Sequence, residues 1–276
     1  MRSGEEARPH AVRWSHVAEV YARTTAPLCA GTFEQLLAAV GLPSLAGNRH
    51  PRLLDVGTGT GTLAALAAER GADVTAVDPD EDMLAIAAHI APSTHLCRAG
   101  VPDLPFEDAT FDAVAANFVV NHVHDPRAAV LELARVAAPG ARLAATIWPS
   151  DQTVQSQLWT EVIEASGAVS PSWARLPQDL DFPRTSDGLA DLLIGAGLTD
   201  VEARPVTWVH SAEPDSLWEA AAAGVGGIGA TVTTQSAEVR DRMRAEYDRL
   251  VVRLVDNGRL VLPATAVLAA GTTPAG

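Results

Sequence analysis

The stretch Arg52-Leu-Leu-Asp-Val-Gly-Thr-Gly-Thr-Gly-Thr-Leu-Ala64 decides the fold. Leu53, Leu54 and Val56 form a short apolar run, the pattern of a parallel strand buried on both faces. Gly57, Gly59 and Gly61 interrupt it at alternate positions, where the backbone can turn sharply and a ligand can approach without meeting a Cβ. Helix-compatible residues come directly after, from Thr62 to Arg70. Strand, glycine turn and helix make the first half of a nucleotide-binding unit, whose helix start offers free N–H groups and a positive dipole end. A βα turn that binds nothing is the alternative.

The details bear on which nucleotide. Asp55 stands two residues before the first glycine, at the carboxyl end of the strand. A pyrophosphate is disfavoured beside a carboxylate, whereas a cationic or zwitterionic ligand is favoured by it. The spacing Gly-x-Gly-x-Gly also departs from the Gly-x-Gly-x-x-Gly of dinucleotide sites. A second strand, Asp73 to Val77, ends in Asp78, about 20 residues beyond the turn, where doubly wound folds carry a ribose-binding acid. The competing role for Asp78 is to cap the next helix. Asp80 fits that role better, because Glu81 to His89 reads as helix with Met83, Leu84 and Ile86 apolar. Asp78 is thereby expected to be free to hold two hydroxyls.

Leu54-Asp-Val-Gly-Thr-Gly-Thr-Gly61 followed by Val77-Asp-Pro-Asp-Glu-Asp-Met-Leu84 resembles the class I S-adenosylmethionine-dependent methyltransferases. Three later stretches agree: Leu104-Pro-Phe106 before Phe111-Asp-Ala-Val114, then Asn117-Phe-Val-Val-Asn-His-Val123, then Ala138-Pro-Gly-Ala-Arg-Leu143. The likeness covers roughly residues 50–150 in order and is closest to the small-molecule branch containing the quinone-biosynthesis methyltransferases. It implies an α/β, Rossmann-like, doubly wound and mostly parallel seven-stranded sheet with helical cap or lid insertions. It also implies S-adenosylmethionine as cofactor and S-adenosylhomocysteine as product. Gly57, Thr58 and Gly59 would lie along the methionine part, with Asp55 near its ammonium and the Asn117 carbonyl close by. Asp78 would take the ribose hydroxyls, and Pro79 and Met83 would pack on adenine. Tyr21 resembles the aromatic residue that reaches the cofactor from an N-terminal helix. One departure stands out: the family often has Gly-Asp-Ala before Leu-Pro-Phe, and this chain has Ala99-Gly100-Val101. Gly100 and Val101 are left with backbone groups for adenine, and Asp103 sits three residues on.

Composition bounds what remains. The chain has 276 residues, 47% of them apolar, enough for a substantial core. Its net charge of −14 argues against a nucleic-acid binder. Cys29 and Cys97 have no paired spacing, which fits a reducing cytoplasm and gives no metal site. Met1 to His10 is charged and reads as no signal peptide, and no apolar run reaches membrane-spanning length. We expect an N-terminal helical cap over residues 1–45, a cofactor-binding core over 46–150, and completion of the sheet over 151–276. Lid helices are expected to be inserted at about 152–183 and 212–258.

In chain order, helices are expected over Arg13–Thr24, Phe33–Val40, Pro126–Ala138, Gln152–Ser166, Ser186–Gly195 with Ser186 as N-cap, Pro214–Ala223 and Ala237–Asp256. Strands are expected near Thr94–Ala99 and over Asp112–Asn117, Arg142–Trp148, Val201–His210 and Leu260–Ala270, the last broken by Pro263. The run Gly224–Gly229 reads as flexible, so Arg13–Thr24 and Pro214–Asp256 read as lid segments that order on binding.

The acceptor is less legible. His16, His122, His124 and His210 are candidate bases. His122 lies in the stretch facing the cofactor and is the tentative base for a phenol or an acidic carbon; a satisfied core histidine is the alternative. Trp148, Trp159, Trp173, Trp208 and Trp218 fall in or beside the cap, where they suit a flat apolar acceptor or bury the cap against the sheet. The expected function is methylation of a small molecule, at oxygen or carbon. The alternatives are an S-adenosylmethionine-binding protein with a non-methylating or scaffolding role, and a nucleotide-dependent oxidoreductase.

Overall fold

β1 (Arg52–Val56) lies in the middle of the sheet because both of its faces are apolar. Leu54 and Val56 enter one core; Leu53 enters the other, on the opposite face. The computed structural model describes residues 16–42, 50–171 and 176–275. The remaining strands are β2 (Asp73–Asp78), β3 (His95–Arg98), β4 (Phe111–Asn117), β5 (Ala137–Ile147), β6 (Thr199–Ala212), β7 (Val255–Asp256) and β8 (Arg259–Thr272). Their order is β3-β2-β1-β4-β5-β8-β6, with β7 paired to β8 off this path. The β3-β2-β1-β4-β5 neighbours are all parallel, and β8 runs antiparallel to both β5 and β6. This is the doubly wound sheet the sequence implied, with seven strands on the path and one short addition.

That addition lies where the sequence predicts that a helix continues. Residues expected as helix to Asp256 leave it at Val251, pass through a 3-10 turn over Val252–Leu254, and enter β7. Asn257 (φ 48°) and Gly258 (φ 78°) then close a hairpin onto β8. Asn-Gly is the pair that suits two left-handed positions, so the dipeptide makes a hairpin turn rather than only ending a helix.

The helices are α1 (Ala18–Thr24), α2 (Ala26–Cys29), α3 (Phe33–Ala39), α4 (Thr62–Glu69), α5 (Glu81–Ile90), α6 (Pro126–Val136), α7 (Val154–Ser166), α8 (Ser186–Gly195), α9 (Ser216–Ala223), α10 (Gly226–Thr233) and α11 (Ala237–Val251). α3 and α4 cover one face of the sheet with Leu36, Leu37, Leu63 and Ala67; α6 and α8 cover the other with Val130, Leu133, Leu189 and Leu193. α6 stops before Ala138, as the residue preceding Pro139 is driven to extended backbone. Asp80 caps α5 as expected, its Oδ1 accepting from the N–H groups of Asp82 (2.9 Å) and Met83 (3.2 Å). α8 is capped by Thr185 and not Ser186: Thr185 Oγ1 accepts from Gly188 N at 3.1 Å.

β6 and β8 each run 14 residues, longer than the sequence pattern indicates. Their ladder reaches Ala212↔Leu260, well past the last β5 pair at Ile147↔Val267. Pro263 lies in this overhang, where one edge of β8 is open and a missing N–H is tolerated. The overhang carries a third core in which Leu260, Leu262 and Ala264 meet Trp159, Leu217, Met243 and Tyr247 of the cap helices. The Gly224–Gly229 run is not a flexible link. Gly224 (φ 95°) ends α9 in the left-handed region, and Gly226 to Thr233 is α10. A Cβ on Gly229 would lie 2.2 Å from the carbonyl carbon of Gly224, so the small residue permits a close helix crossing.

Candidate functional site

The glycine turn connects β1 to α4 with Gly57, Gly59 and Gly61 all left-handed, at φ 66°, 54° and 81°. A Cβ on Gly57 would meet Val119 Cγ2 at 2.4 Å, and one on Gly61 would meet Ala87 Cα at 2.9 Å. Gly59 is different: only Tyr21 Cε1 lies near its Cβ position, at 3.8 Å, so its missing side chain leaves open space. Behind the turn, the Asp55 carboxylate accepts from Thr58 Oγ1 at 2.7 Å and is 1% exposed. Burial pushes its pKa up to about 7; the Thr58 hydrogen bond opposes this, the Asp78 charge adds to it, and the Ala64 N–H opposes it.

Asp78 does not stand unengaged, as the sequence reading expects. Its Oδ2 accepts from Gly59 N and its Oδ1 from Asp80 N, each at 2.9 Å. The carboxylate therefore ties the glycine turn to the start of α5, and each oxygen retains capacity for a further donor. Burial raises its pKa, against the pull of these two N–H groups.

A cavity of about 860 Å³ opens beside the turn. Tyr21, Gly57, Gly59, Asp78, Pro79, Met83, Gly100, Val101, Asn117 and His122 all line it. Asp55 and Thr58 lie one layer beneath, on a void of about 40 Å³ also bordered by Tyr21, Cys29 and Asn117. The structure thus brings every predicted site residue to one place. Among the described residues no Arg or Lys lines the cavity, whereas Asp78, Asp103 and Asp125 do.

Sequence reasoning misses several wall residues. Phe118 comes after β4 with φ 57°, rare for a bulky side chain. Its N–H is held by Thr146, at 3.1 Å from the carbonyl O and 3.0 Å from Oγ1. Its ring stacks on Trp148, with centroids 4.1 Å apart and planes 15° from parallel. Asn117 Oδ1 accepts from Thr146 Oγ1 at 2.6 Å and faces Thr32 Oγ1 at 2.7 Å. Its amide reaches the Cys29 carbonyl at 3.5 Å. These contacts span residues distant in sequence, and no local pattern marks them. Tyr21 OH lies 3.8 Å from Cys29 Sγ. Burial raises the Tyr21 phenol well above its usual value and pushes the Cys29 thiol up to about 12, so neither ionises near neutrality.

The histidines divide. His122 and His124 line the cavity, the latter from the turn before α6. His210 is buried in β6 away from it, and His16 is exposed, its N–H bonded to Asp82. The sequence reading takes His122 as the tentative base. Burial, reinforced by the Arg184 charge, pushes its pKa down to about 4. The tryptophans divide too. Trp148 lines the cavity, Trp208 packs on Trp148 with centroids 6.0 Å apart, and in the cap core Trp159 stacks on Tyr247 while Trp218 packs against it at a tilt. Trp173 lies outside the described residues.

Residues 54–145 match the Methyltransferase domain family. The demethylmenaquinone methyltransferase of Renibacterium salmoninarum is 30% identical over 163 residues, covering 55% of this chain and 68% of that one. This chain belongs to the class I S-adenosylmethionine-dependent methyltransferase family. The demethylmenaquinone methyltransferase of Clavibacter sepedonicus is 34% identical over 148 residues, 52% of this chain, and this chain spans 60% of its length. In fold, the chain is similar to Haemonchus contortus phosphoethanolamine N-methyltransferase 2, solved with phosphomonomethylethanolamine and S-adenosylhomocysteine. That likeness has a TM-score of 0.53 at 17% identity and covers 94% of this chain and 59% of the other. S-adenosylmethionine is the family's cofactor, and the cavity suits it. A ligand carrying an ammonium and a sulfonium meets carboxylates and, among the described lining residues, no Arg or Lys, and no cation among the described residues acts on buried Asp55, so such a ligand brings it a countercharge. Among the described residues no group of three or more His, Cys, Asp or Glu could hold a metal, and no helix is long and apolar enough to cross a membrane.

Proposed function

We propose that the protein transfers a methyl group from S-adenosylmethionine to a small, flat, largely apolar acceptor, at oxygen or carbon. The observation that carries this reading is the cavity itself: a left-handed glycine turn with open space at Gly59, walled by carboxylates and, among the described residues, by no Arg or Lys. A pyrophosphate-bearing dinucleotide finds no countercharge there, which weighs against a nucleotide-dependent oxidoreductase.

In this reading the methionine end runs along Gly57, Thr58 and Gly59, with its ammonium compensating Asp55 and close to Asn117. Asp78 receives the ribose hydroxyls while keeping its two backbone contacts. Pro79 and Met83 form an apolar slot for adenine, the thioether suiting an aromatic face, and the backbone of Gly100 and Val101 borders it. Tyr21 covers the cofactor from α1. The cofactor supplies an activated methyl group on sulfur, so what the chain must provide is alignment and exclusion of water.

Phe118, Val119 and Trp148 form the apolar wall on which a flat acceptor stacks. The demethylmenaquinone methyltransferases among its relatives support an acceptor of this kind. With its pKa near 4, His122 is neutral at physiological pH and a weak base. Its role is to accept a hydrogen bond from the acceptor and direct its lone pair, leaving little of the proton removal to the imidazole. We further propose that α1 acts as the lid, closing against the cap helices α9 to α11. Arg23 of α1 and Glu219 of α9 are joined by an ion pair, so the helix carrying Tyr21 is tied to the cap.

The decisive experiment incubates the protein with methyl-labelled S-adenosylmethionine and a panel of hydroquinones and phenols, and tracks label into product by mass spectrometry. Methyl transfer to a flat aromatic supports the reading. Tight cofactor binding with no labelled product from any acceptor class favours the scaffolding alternative.

A further inference from the structure

Thr146 lines neither the cavity nor the void beneath it, yet its bonds reach residues that do. It is fully buried at the last rung of the β4–β5 ladder, opposite Asn117. Its hydroxyl has one proton, and Asn117 Oδ1 accepts it at 2.6 Å. Thr32, also fully buried, faces the same Oδ1 at 2.7 Å, so the Asn117 amide is fixed from two sides. With its proton spent on Asn117, the Thr146 hydroxyl can only accept from its other neighbour. That neighbour is the Phe118 N–H, which meets Oγ1 at 3.0 Å and the Thr146 carbonyl O at 3.1 Å.

Phe118 is the first residue beyond β4, and at φ 57° it holds a backbone that bulky side chains avoid. A return to extended or right-handed backbone would swing its ring away. Here the ring is buried and lies on Trp148 with centroids 4.1 Å apart. The backbone is thus caught by Thr146 and the ring by Trp148, two residues further along the chain. Such outliers persist only where surrounding contacts over-determine them, and they cluster at ligand sites. We propose that Thr146 is a positioning residue for the acceptor: its hydroxyl holds Phe118 left-handed and so lays the ring on Trp148 as the flat wall of the cavity. Acceptor affinity then depends on a side chain that never meets the acceptor. This rests on the reading of Phe118 and Trp148 as the acceptor wall.

The test titrates 1-naphthol, a flat acceptor probe, into protein saturated with S-adenosylhomocysteine, for wild type, Thr146→Val and Thr146→Ser. Valine matches threonine in shape but offers nothing to the Phe118 N–H or to Asn117. Thr146→Val is expected to weaken 1-naphthol binding about five- to tenfold, the effect of one buried hydrogen bond, and to change S-adenosylhomocysteine affinity less. Thr146→Ser restores the hydroxyl and is expected to bind both ligands as wild type does. Glycine adopts a left-handed backbone unaided, so in a Phe118→Gly background Thr146→Val is expected to cost nothing further. Thr146→Ala takes the place of the valine variant in both comparisons if that variant does not fold. Wild-type affinity for 1-naphthol in Thr146→Val, equal losses for both ligands, or a loss that persists in full in the glycine background overturns the role of Thr146 and leaves the acceptor wall standing. A wild type that binds S-adenosylhomocysteine but not 1-naphthol overturns both.

Discussion

Replacing Asp55 by Asn should make the ligand-free protein more stable above neutral pH and a poorer binder of its ligand. Asp55 is fully buried, with a pKa of about 7 in the folded chain against 3.8 ordinarily. Between these values the folded state binds more protons than the unfolded state, so stability must fall as pH rises through the window. The gap of about three pH units corresponds to roughly 4 kcal/mol lost from acid to alkaline pH, taken as an upper bound. Asparagine keeps an oxygen for Thr58 but buries an amide donor that needs a partner, at a cost of about 1–2 kcal/mol. The variant should therefore gain about 2 kcal/mol at pH 8, and little or nothing at pH 5, where wild-type Asp55 is already protonated. Urea unfolding of both proteins from pH 5 to 8 measures this, and the difference between them removes the other titrating groups. Parallel stability curves would refute the claim that Asp55 carries a strained charge. The same variant should bind S-adenosylhomocysteine at least tenfold more weakly at pH 8, because the ligand's ammonium loses its countercharge.

Asp78→Ala should weaken S-adenosylhomocysteine binding tenfold or more by calorimetry. It should also lower the melting temperature, because Gly59 N and Asp80 N lose their acceptor; unchanged affinity would remove Asp78 from the site. Gly59→Val should fold yet fail to bind, whereas Gly61→Val should lose several kcal/mol of stability, since its Cβ meets the backbone of α5; circular dichroism and calorimetry separate the two. Wild-type affinity for S-adenosylhomocysteine should rise with pH between 6 and 7 as Asp55 ionises, with proton release visible as a buffer-dependent binding enthalpy. Hydrogen exchange with and without S-adenosylhomocysteine should show added protection in α1, which presents Tyr21 to the cavity. It should show little at Gly226–Thr233, already helical; the reverse pattern would place the moving element in the cap.

The sheet and the cofactor half of the cavity are legible in the sequence because local chemistry encodes them. Alternating glycines can only be a turn, an acid at a strand end has few roles, and Asp80 capping comes from one dipeptide step. The grouping of Thr58, Pro79, Met83, Gly100 and Val101 with the glycine turn is what the family resemblance implies, and all of them border the cavity or the void beneath it. What stays hidden is what tertiary structure alone creates. Asp78 looks idle in the sequence because no local rule shows Gly59 N arriving 2.9 Å away. His122 reads as a candidate base because its burial and the charge of Arg184, distant in the chain, arise only from tertiary packing. Glycines at 224–229 read as flexible because sequence cannot distinguish a glycine that frees the chain from one that lets two helices touch. Phe118 lies in a stretch that carries the family resemblance, but its left-handed backbone, which accompanies a hydrogen bond to Thr146 28 residues away, has no local signal.

The central claim is that the acidic cavity beside the glycine turn takes S-adenosylmethionine. Isothermal titration of the protein at pH 8 with S-adenosylhomocysteine, and in parallel with NAD, tests it most directly. One-to-one binding of S-adenosylhomocysteine that is weakened by Gly59→Val is expected, with no detectable heat from NAD. Binding of NAD through the same glycine turn, or no binding of S-adenosylhomocysteine by the folded protein, would contradict it.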